Sequence, residues 1–228
     1  MKLWKCIALA GWLGMAGQHS AQADSGLVHV SPSLALAEPC PSGSGCAFSW
    51  TLATRLGVAL NFAEQRYGKR DLNWTLLGVD FARTPSPQIF YAGHGGGRRD
   101  IVIHLTASAA TNEKQALFQL AHEVVHVLSP IGPDARSSIL EEGIATYNSL
   151  DYVRSAGIQI SPSYIGAENY EDAYWAVVEL QQAQPDFQAR TAALRSRYGS
   201  LSELTPHQIR AAYPSISPVL AQKLARTF

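Results

Sequence analysis

Cysteine is scarce, with three residues in 228, at positions 6, 40 and 46. No second cysteine pair exists to complete a four-thiolate zinc site, which excludes that class of metal site. No block of lysines and arginines occurs either: 18 basic and 18 acidic side chains leave a formal charge of zero and are mixed along the chain. Without a basic stripe there is no electrostatic footprint for nucleic acid, so no nucleic-acid partner is expected. Apolar runs fall well short of the roughly 20 residues that cross a bilayer, and no internal repeat or low-complexity block is present. A Gly-x-Ser-x-Gly elbow is missing too, which removes the nucleophile that a serine esterase would need.

What is present begins with an export signal. Met1-Lys2-Leu3-Trp4-Lys5 is a short basic start, Cys6 to Ala16 is apolar, and Ala21-Gln22-Ala23 precedes Asp24. That order predicts a secretory signal peptide over 1–23 and a periplasmic or extracellular mature protein. A membrane anchor is the alternative, but it needs a longer apolar run. Cys6 lies inside the signal, so no lipid anchor is expected, and no membrane span remains after cleavage. Residues 24–46, rich in Ser, Pro, Gly and Ala without a sustained period, read as an extended leader. In Cys40-Pro41-Ser42-Gly43-Ser44-Gly45-Cys46, an even pair in an exported chain across a flexible loop predicts a disulfide. A thiolate pair on zinc is the alternative, and it lacks nearby histidines.

The remaining length suits one main domain, 47–228. Phe48, Leu52, Leu56, Ala59, Phe62 and Ala63 recur at helical spacing before Gly68, where a helix should stop. Three strand-like runs follow: Leu72 to Phe81, Gln88 to Ala92, and Ile101 to Leu105. The last two are joined by Gly93-His94-Gly95-Gly96-Gly97-Arg98-Arg99-Asp100, a hairpin or flap. A helix runs from Asn112 to just before Pro130, with Leu117, Leu120, Ala121, Val124 and Leu128 on one stripe. From Glu168 onward the pattern is helical, with Thr205-Pro206 and Ser217-Pro218 as helix starts.

The chemistry concentrates in His122-Glu123-Val124-Val125-His126. Residues four apart share a helix face, so His122 and His126 can offer two imidazoles to one ion. Glu123 lies about 100° round the helix, in reach of a water at that ion, which makes it the candidate general base. Catalytic zinc takes three protein ligands and leaves one position open. Downstream, Ser138-Ile139-Leu140-Glu141 fits a capping box in which Glu141 folds back onto the first free amide, leaving Glu142 for the metal. Thr146, one turn on, is a candidate hydrogen-bonding support, and Gly143 should allow close approach of the histidine helix.

His-Glu-x-x-His followed by Glu142-Gly143-Ile144-Ala145-Thr146-Tyr147 resembles the gluzincin metallopeptidases, in particular the peptidase MA-like group and more distantly the aminopeptidase N family. The resemblance covers about 47–150. It implies an α+β, zincin-like fold: an N-terminal helix, a small mixed sheet, the active-site helix and a glutamate helix, with a helical C-terminal part over 151–228. It also implies Glu142 as third zinc ligand and a peptide lying along the sheet edge, which the expectation places at Ile101 to Leu105, with His104 structural. Asn169-Tyr170-Glu171-Asp172-Ala173 is similar to the Tyr-x-Lys-Gly segment of the aminopeptidase N family. By that likeness Tyr170 would stabilise the tetrahedral intermediate, with Tyr147 and Tyr174 as competitors. Asp172 and Ala173 depart from the family pattern. The Gly-Ala-Met-Glu-Asn segment that reads a free amino terminus is absent, so aminopeptidase activity does not carry over.

The expectation is therefore an exported zinc metallopeptidase with one Zn²⁺ on His122, His126 and Glu142, Glu123 and Tyr170 as catalytic residues, and a peptide or protein as substrate. Endopeptidase, exopeptidase and cell-wall amidase stay open, as does oligomeric state. Two rivals remain: a zincin-like envelope binding or assembly protein without activity, and a serine esterase suggested by His94-Gly95-Gly96-Gly97.

Overall fold

The computed structural model describes residues 52–95 and 97–228. The expected signal peptide and leader, Cys40 and Cys46 with their expected disulfide, and the first residues of the expected N-terminal helix lie outside the described residues. Among the described residues the chain forms a mixed α+β fold of seven α-helices and one three-stranded sheet. The order is α1 (Leu52–Tyr67), β1 (Thr75–Ala82), β2 (Gln88–Gly95), β3 (Arg98–Thr106), α2 (Glu113–Leu128), α3 (Ile139–Ser155), α4 (Glu168–Ala183), α5 (Phe187–Tyr198), α6 (Pro206–Ala212) and α7 (Pro218–Leu224). No helix among them is long and apolar enough to cross a membrane.

The sheet is mixed, in the order β1-β3-β2, with β1 parallel and β2 antiparallel to β3. Alternation puts Ile101, Ile103 and Leu105 of β3 fully inside, while Val102 and His104 point the other way. This corrects the peptide-edge expectation: β3 is the central strand, its backbone groups already paired on both sides, so no peptide can add to it. His104 stacks on Phe90 across the β2–β3 pair, at 4.8 Å between ring centres. The glycine-rich connection is much shorter than a flap, since β2 and β3 continue to Gly95 and Arg98 and pair there.

The helix that carries the histidines is enclosed on most of its circumference. Its expected stripe is buried, and so are Ala116, Gln119, Val125 and Val127, because the sheet, α1 and α3 all pack on it. Asn112 caps it by accepting from the Gln115 amide at 3.1 Å. Its far end is held by Arg195 of α5, whose guanidinium donates to the carbonyls of Tyr67, Gly68, Lys69 and Leu128 and to the Ser129 hydroxyl. These carbonyls terminate α1 and α2, where a cation complements the helix dipole and the forked guanidinium can serve several acceptors. Burial pushes the Arg195 pKa down to about 10, which still leaves it charged at neutral pH.

Helix α3 lies between α2 and α4. Asn148, fully buried, donates to the carbonyl of Ala121 at 2.7 Å and so ties α3 to the start of the histidine motif. Gly143 faces the other way from the expectation. A Cβ there would lie 2.3 Å from the Ala173 carbonyl oxygen and 2.6 Å from a Val177 methyl. The close approach is therefore to α4, and the histidine helix does not need it. The helices after Glu168 form as the sequence predicts, with a complete capping box at Thr205/Gln208 and Ser217 accepting from the Leu220 amide.

Candidate metal centre

One turn of α2 and the first turn of α3 meet at the centre of the fold. His122 and His126 project from the same face of α2, their ring centres 5.1 Å apart. Glu142 reaches across from α3: its Oε2 lies 3.1 Å from His122 Nε2 and its Oε1 lies 3.6 Å from His126 Nε2, and the two Nε2 atoms are 3.3 Å apart. Two donors about 2.0 to 2.1 Å from one tetrahedral ion are separated by about 3.3 Å. The imidazole pair matches that separation and one carboxylate oxygen lies close to each imidazole, so His122, His126 and Glu142 form a group that could hold a single metal ion.

Without a metal, the cluster is held by charge. Burial alone would lower the His126 pKa, but the Glu142 charge and the hydrogen bonds that His126 donates to Glu141 and Glu142 carry it well above the ordinary histidine range. Burial alone would raise Glu142, but the charge of His126 and the hydrogen bonds from His122 and His126 hold it well below the ordinary carboxylate range. The charge on His126 does for Glu142 part of what a cation would do.

The cap assignment for Glu141 needs correction. Ser138 is the N-cap and accepts from the Glu141 amide at 3.3 Å, yet the Glu141 side chain does not return to the Ser138 amide. That amide donates to the Ser202 hydroxyl instead, at 3.1 Å. The Glu141 carboxylate lies 2.8 Å from His126 Nδ1 and also accepts from the Ser202 hydroxyl. The physical reason is competition: a buried charged partner and a hydroxyl together outweigh one backbone amide that can be satisfied elsewhere. Glu141 thus occupies the place of the outer carboxylate that fixes a metal-binding histidine's orientation and tautomer. Thr146 supports the site less directly than expected, since its hydroxyl donates to the Glu142 backbone carbonyl at 2.8 Å, not to the carboxylate.

Glu123 is buried and borders the same small cavity of about 250 Å³ as His122, His126 and Glu142. Burial raises its pKa, outweighing the lowering by His126 and His122. Tyr170, in the first turn of α4, also borders this cavity, with its ring edge-on to His122 at 5.6 Å and against Phe228 at 4.7 Å. Burial first, then the Glu142 and Glu123 charges, push its pKa up to about 12. The competing tyrosines are elsewhere: Tyr147 stacks with Tyr174 at 6.2 Å and meets Phe187 edge-on, away from the histidines.

Three residues in or beside the cleft have contacts that the sequence reading above does not assign. Glu141 is within its reach, because a metal-binding histidine commonly gives its second N–H to a carboxylate. Ser202, 61 residues from Glu141, carries no local signal. Tyr91 looks like an ordinary strand aromatic, yet it borders the cavity and its hydroxyl accepts from the Gly132 amide at 3.0 Å. No protein-family model matches the chain, and no curated protein and no solved structure matches it.

Proposed function

We propose that the chain is an exported zinc-dependent metallopeptidase of zincin-like, gluzincin type, with His122, His126 and Glu142 as ligands. The observation that carries the reading is the convergence of two imidazoles and one carboxylate on a common point with Glu123 buried beside them. Two imidazoles and a carboxylate are a donor set suited to zinc. Zinc, when bound, supplies a Lewis acid and a water of lowered pKa.

Glu123, buried beside the group and bordering the same cavity, takes the proton of the attacking water and passes it to the leaving nitrogen. Tyr170 keeps its phenolic proton across the working range and donates it as a hydrogen bond to the developing oxyanion. Glu141 holds His126 in orientation. An extended peptide lies along β2, whose Gln88, Ile89 and Tyr91 border the cleft. Among the described residues β2 pairs on one side alone, leaving its other edge to accept a strand.

The test is cleavage of a peptide library by zinc-loaded protein beside Glu123→Gln. Chelator-sensitive cleavage that falls about 10²- to 10⁴-fold in the variant, at unchanged zinc content, is expected. Cleavage that ignores chelators, or equal turnover by the variant, would remove the proposal in favour of another hydrolase class. Zinc binding without cleavage of any peptide would favour an envelope binding protein.

A further inference from the structure

A second cavity, of about 590 Å³, opens directly beside the metal centre and shares His122 and Tyr170 with it. Its floor is the outer stretch of the same α2 face: Gln115, Phe118 and Gln119 lead up to His122. The β1–β2 connection forms one lip with Pro85 and Pro87, and the segment before α4 forms the other with Tyr164, Ile165 and Ala167. None of its lining residues is an aspartate, glutamate, lysine or arginine, whereas the metal cavity itself is bordered by Glu123, Glu141 and Glu142.

The polar groups of this second cavity are largely spoken for. Gln119 accepts from the Thr106 amide at 3.0 Å and donates to the Thr106 hydroxyl at 2.8 Å; Gln115 donates to Ser108 Oγ at 3.0 Å. The Thr146 hydroxyl is taken by the Glu142 carbonyl. The hydroxyl of Thr84 has no partner, but it is sealed from solvent. What is left to meet a ligand is mainly apolar: the Phe118 and Tyr164 rings, edge to face at 5.4 Å, with Ile165, the two prolines and the Tyr170 ring. A charged side chain entering here would lose its water and find no counter-charge. A small one would leave most of the volume unfilled.

We infer that this cavity is the specificity pocket of the cleft and seats a bulky apolar side chain, aromatic or branched aliphatic, from the residue next to the hydrolysed bond. The inference rests on the peptidase reading for the bond, and on the cavity alone for the side chain. Phe118, Tyr164 and Ile165 determine the preference, and the pocket's continuity with His122 and Tyr170 brings the adjoining peptide bond to the metal group.

The test separates the two. Fluorescent peptides of one scaffold, carrying Phe, Leu, Ala, Asp or Lys at each central position in turn, are titrated by anisotropy into zinc-loaded Glu123→Gln protein, where no turnover interferes. At one position the Phe and Leu peptides should bind about 10- to 100-fold more tightly than the Ala, Asp or Lys peptides. Ile165→Asp, at the half-buried lip, should erase that preference and improve the Lys peptide, with zinc content and circular dichroism unchanged. Phe118→Leu, which keeps an apolar floor, should retain it. Equal binding of all five peptides, tightest binding of a charged one, or a preference that survives Ile165→Asp would each overturn the assignment. If the preference holds but wild-type protein cleaves none of the peptides, the pocket stands and the peptidase reading falls. If the peptides are cleaved with no apolar preference, the peptidase reading stands and the pocket falls.

Discussion

Replacing Glu141 by alanine removes the carboxylate that holds the far side of His126, and zinc affinity should register it. In the native site His126 offers Nε2 to the metal group while Nδ1 sits 2.8 Å from Glu141. The alanine variant leaves Nδ1–H and the Ser202 hydroxyl without their acceptor, in a place where Glu141 is only 4% exposed and bulk water cannot substitute freely. Losing an outer partner of this type weakens metal binding about 10- to 100-fold, or about 1.4 to 2.8 kcal/mol. The burial places Glu141→Ala toward the upper end. Glu141→Gln keeps the shape and one accepting oxygen and should lose about tenfold. Glu142→Gln removes a ligand and should lose more than either. Competition against a chromophoric chelator at neutral pH measures all three, with circular dichroism confirming that each variant folds. Wild-type affinity in Glu141→Ala would refute the assignment. So would a larger loss in Glu141→Gln than in Glu142→Gln, because Glu141 would then be the ligand.

The remaining expectations concern pH and packing. His126, raised in the folded metal-free protein, contributes stability that is fully present below about pH 6.5 and disappears as pH rises through its folded pKa. Glu142, lowered, contributes stability present above the ordinary glutamate range and lost as pH falls through its own folded pKa. Metal-free protein should therefore melt at progressively lower temperature on the alkaline side while zinc-loaded protein does not, and a metal-free melting temperature that rises there would contradict the charge pairing. Zinc must displace the His126 proton, so apparent affinity should climb about tenfold per pH unit above 6.5, where an ordinary histidine would level off; a flat titration would count against it. Gly143→Ala drives a methyl into the Ala173 carbonyl and should destabilise by about 1 to 3 kcal/mol or more, read by urea unfolding; a neutral result would mean that α3 and α4 are not in contact there. Arg195→Leu strands the carbonyls at the ends of α1 and α2 and should lose about 3 kcal/mol or more, with reduced zinc retention as the histidine helix loosens.

What the sequence makes legible is what short-range periodicity encodes. The β-branched run Ile101 to Leu105 predicts a strand and the stripe Leu117, Leu120, Ala121, Val124, Leu128 predicts a buried helix face; the strand forms and the stripe is buried. The i, i+4 histidines need nothing beyond helix geometry to share a face. The third member follows from helix capping, and only half of that inference holds. Ser138 does cap the helix, which fixes where α3 begins and so where Glu142 points, but a local rule gives the Glu141 side chain a job that a distant residue performs. The Ser138 amide finds Ser202, and this frees Glu141 for His126. A capping box is a contest between nearby and distant partners for one amide, and sequence displays only the nearby ones. The same limit hides the order of the sheet. Each strand's residues are visible in the chain, but which strand lies in the middle is set by how β1 crosses to pair with β3, a choice made at long range. It decides that β2, with Gln88, Ile89 and Tyr91 beside the histidines, is the strand with an edge left at the cleft.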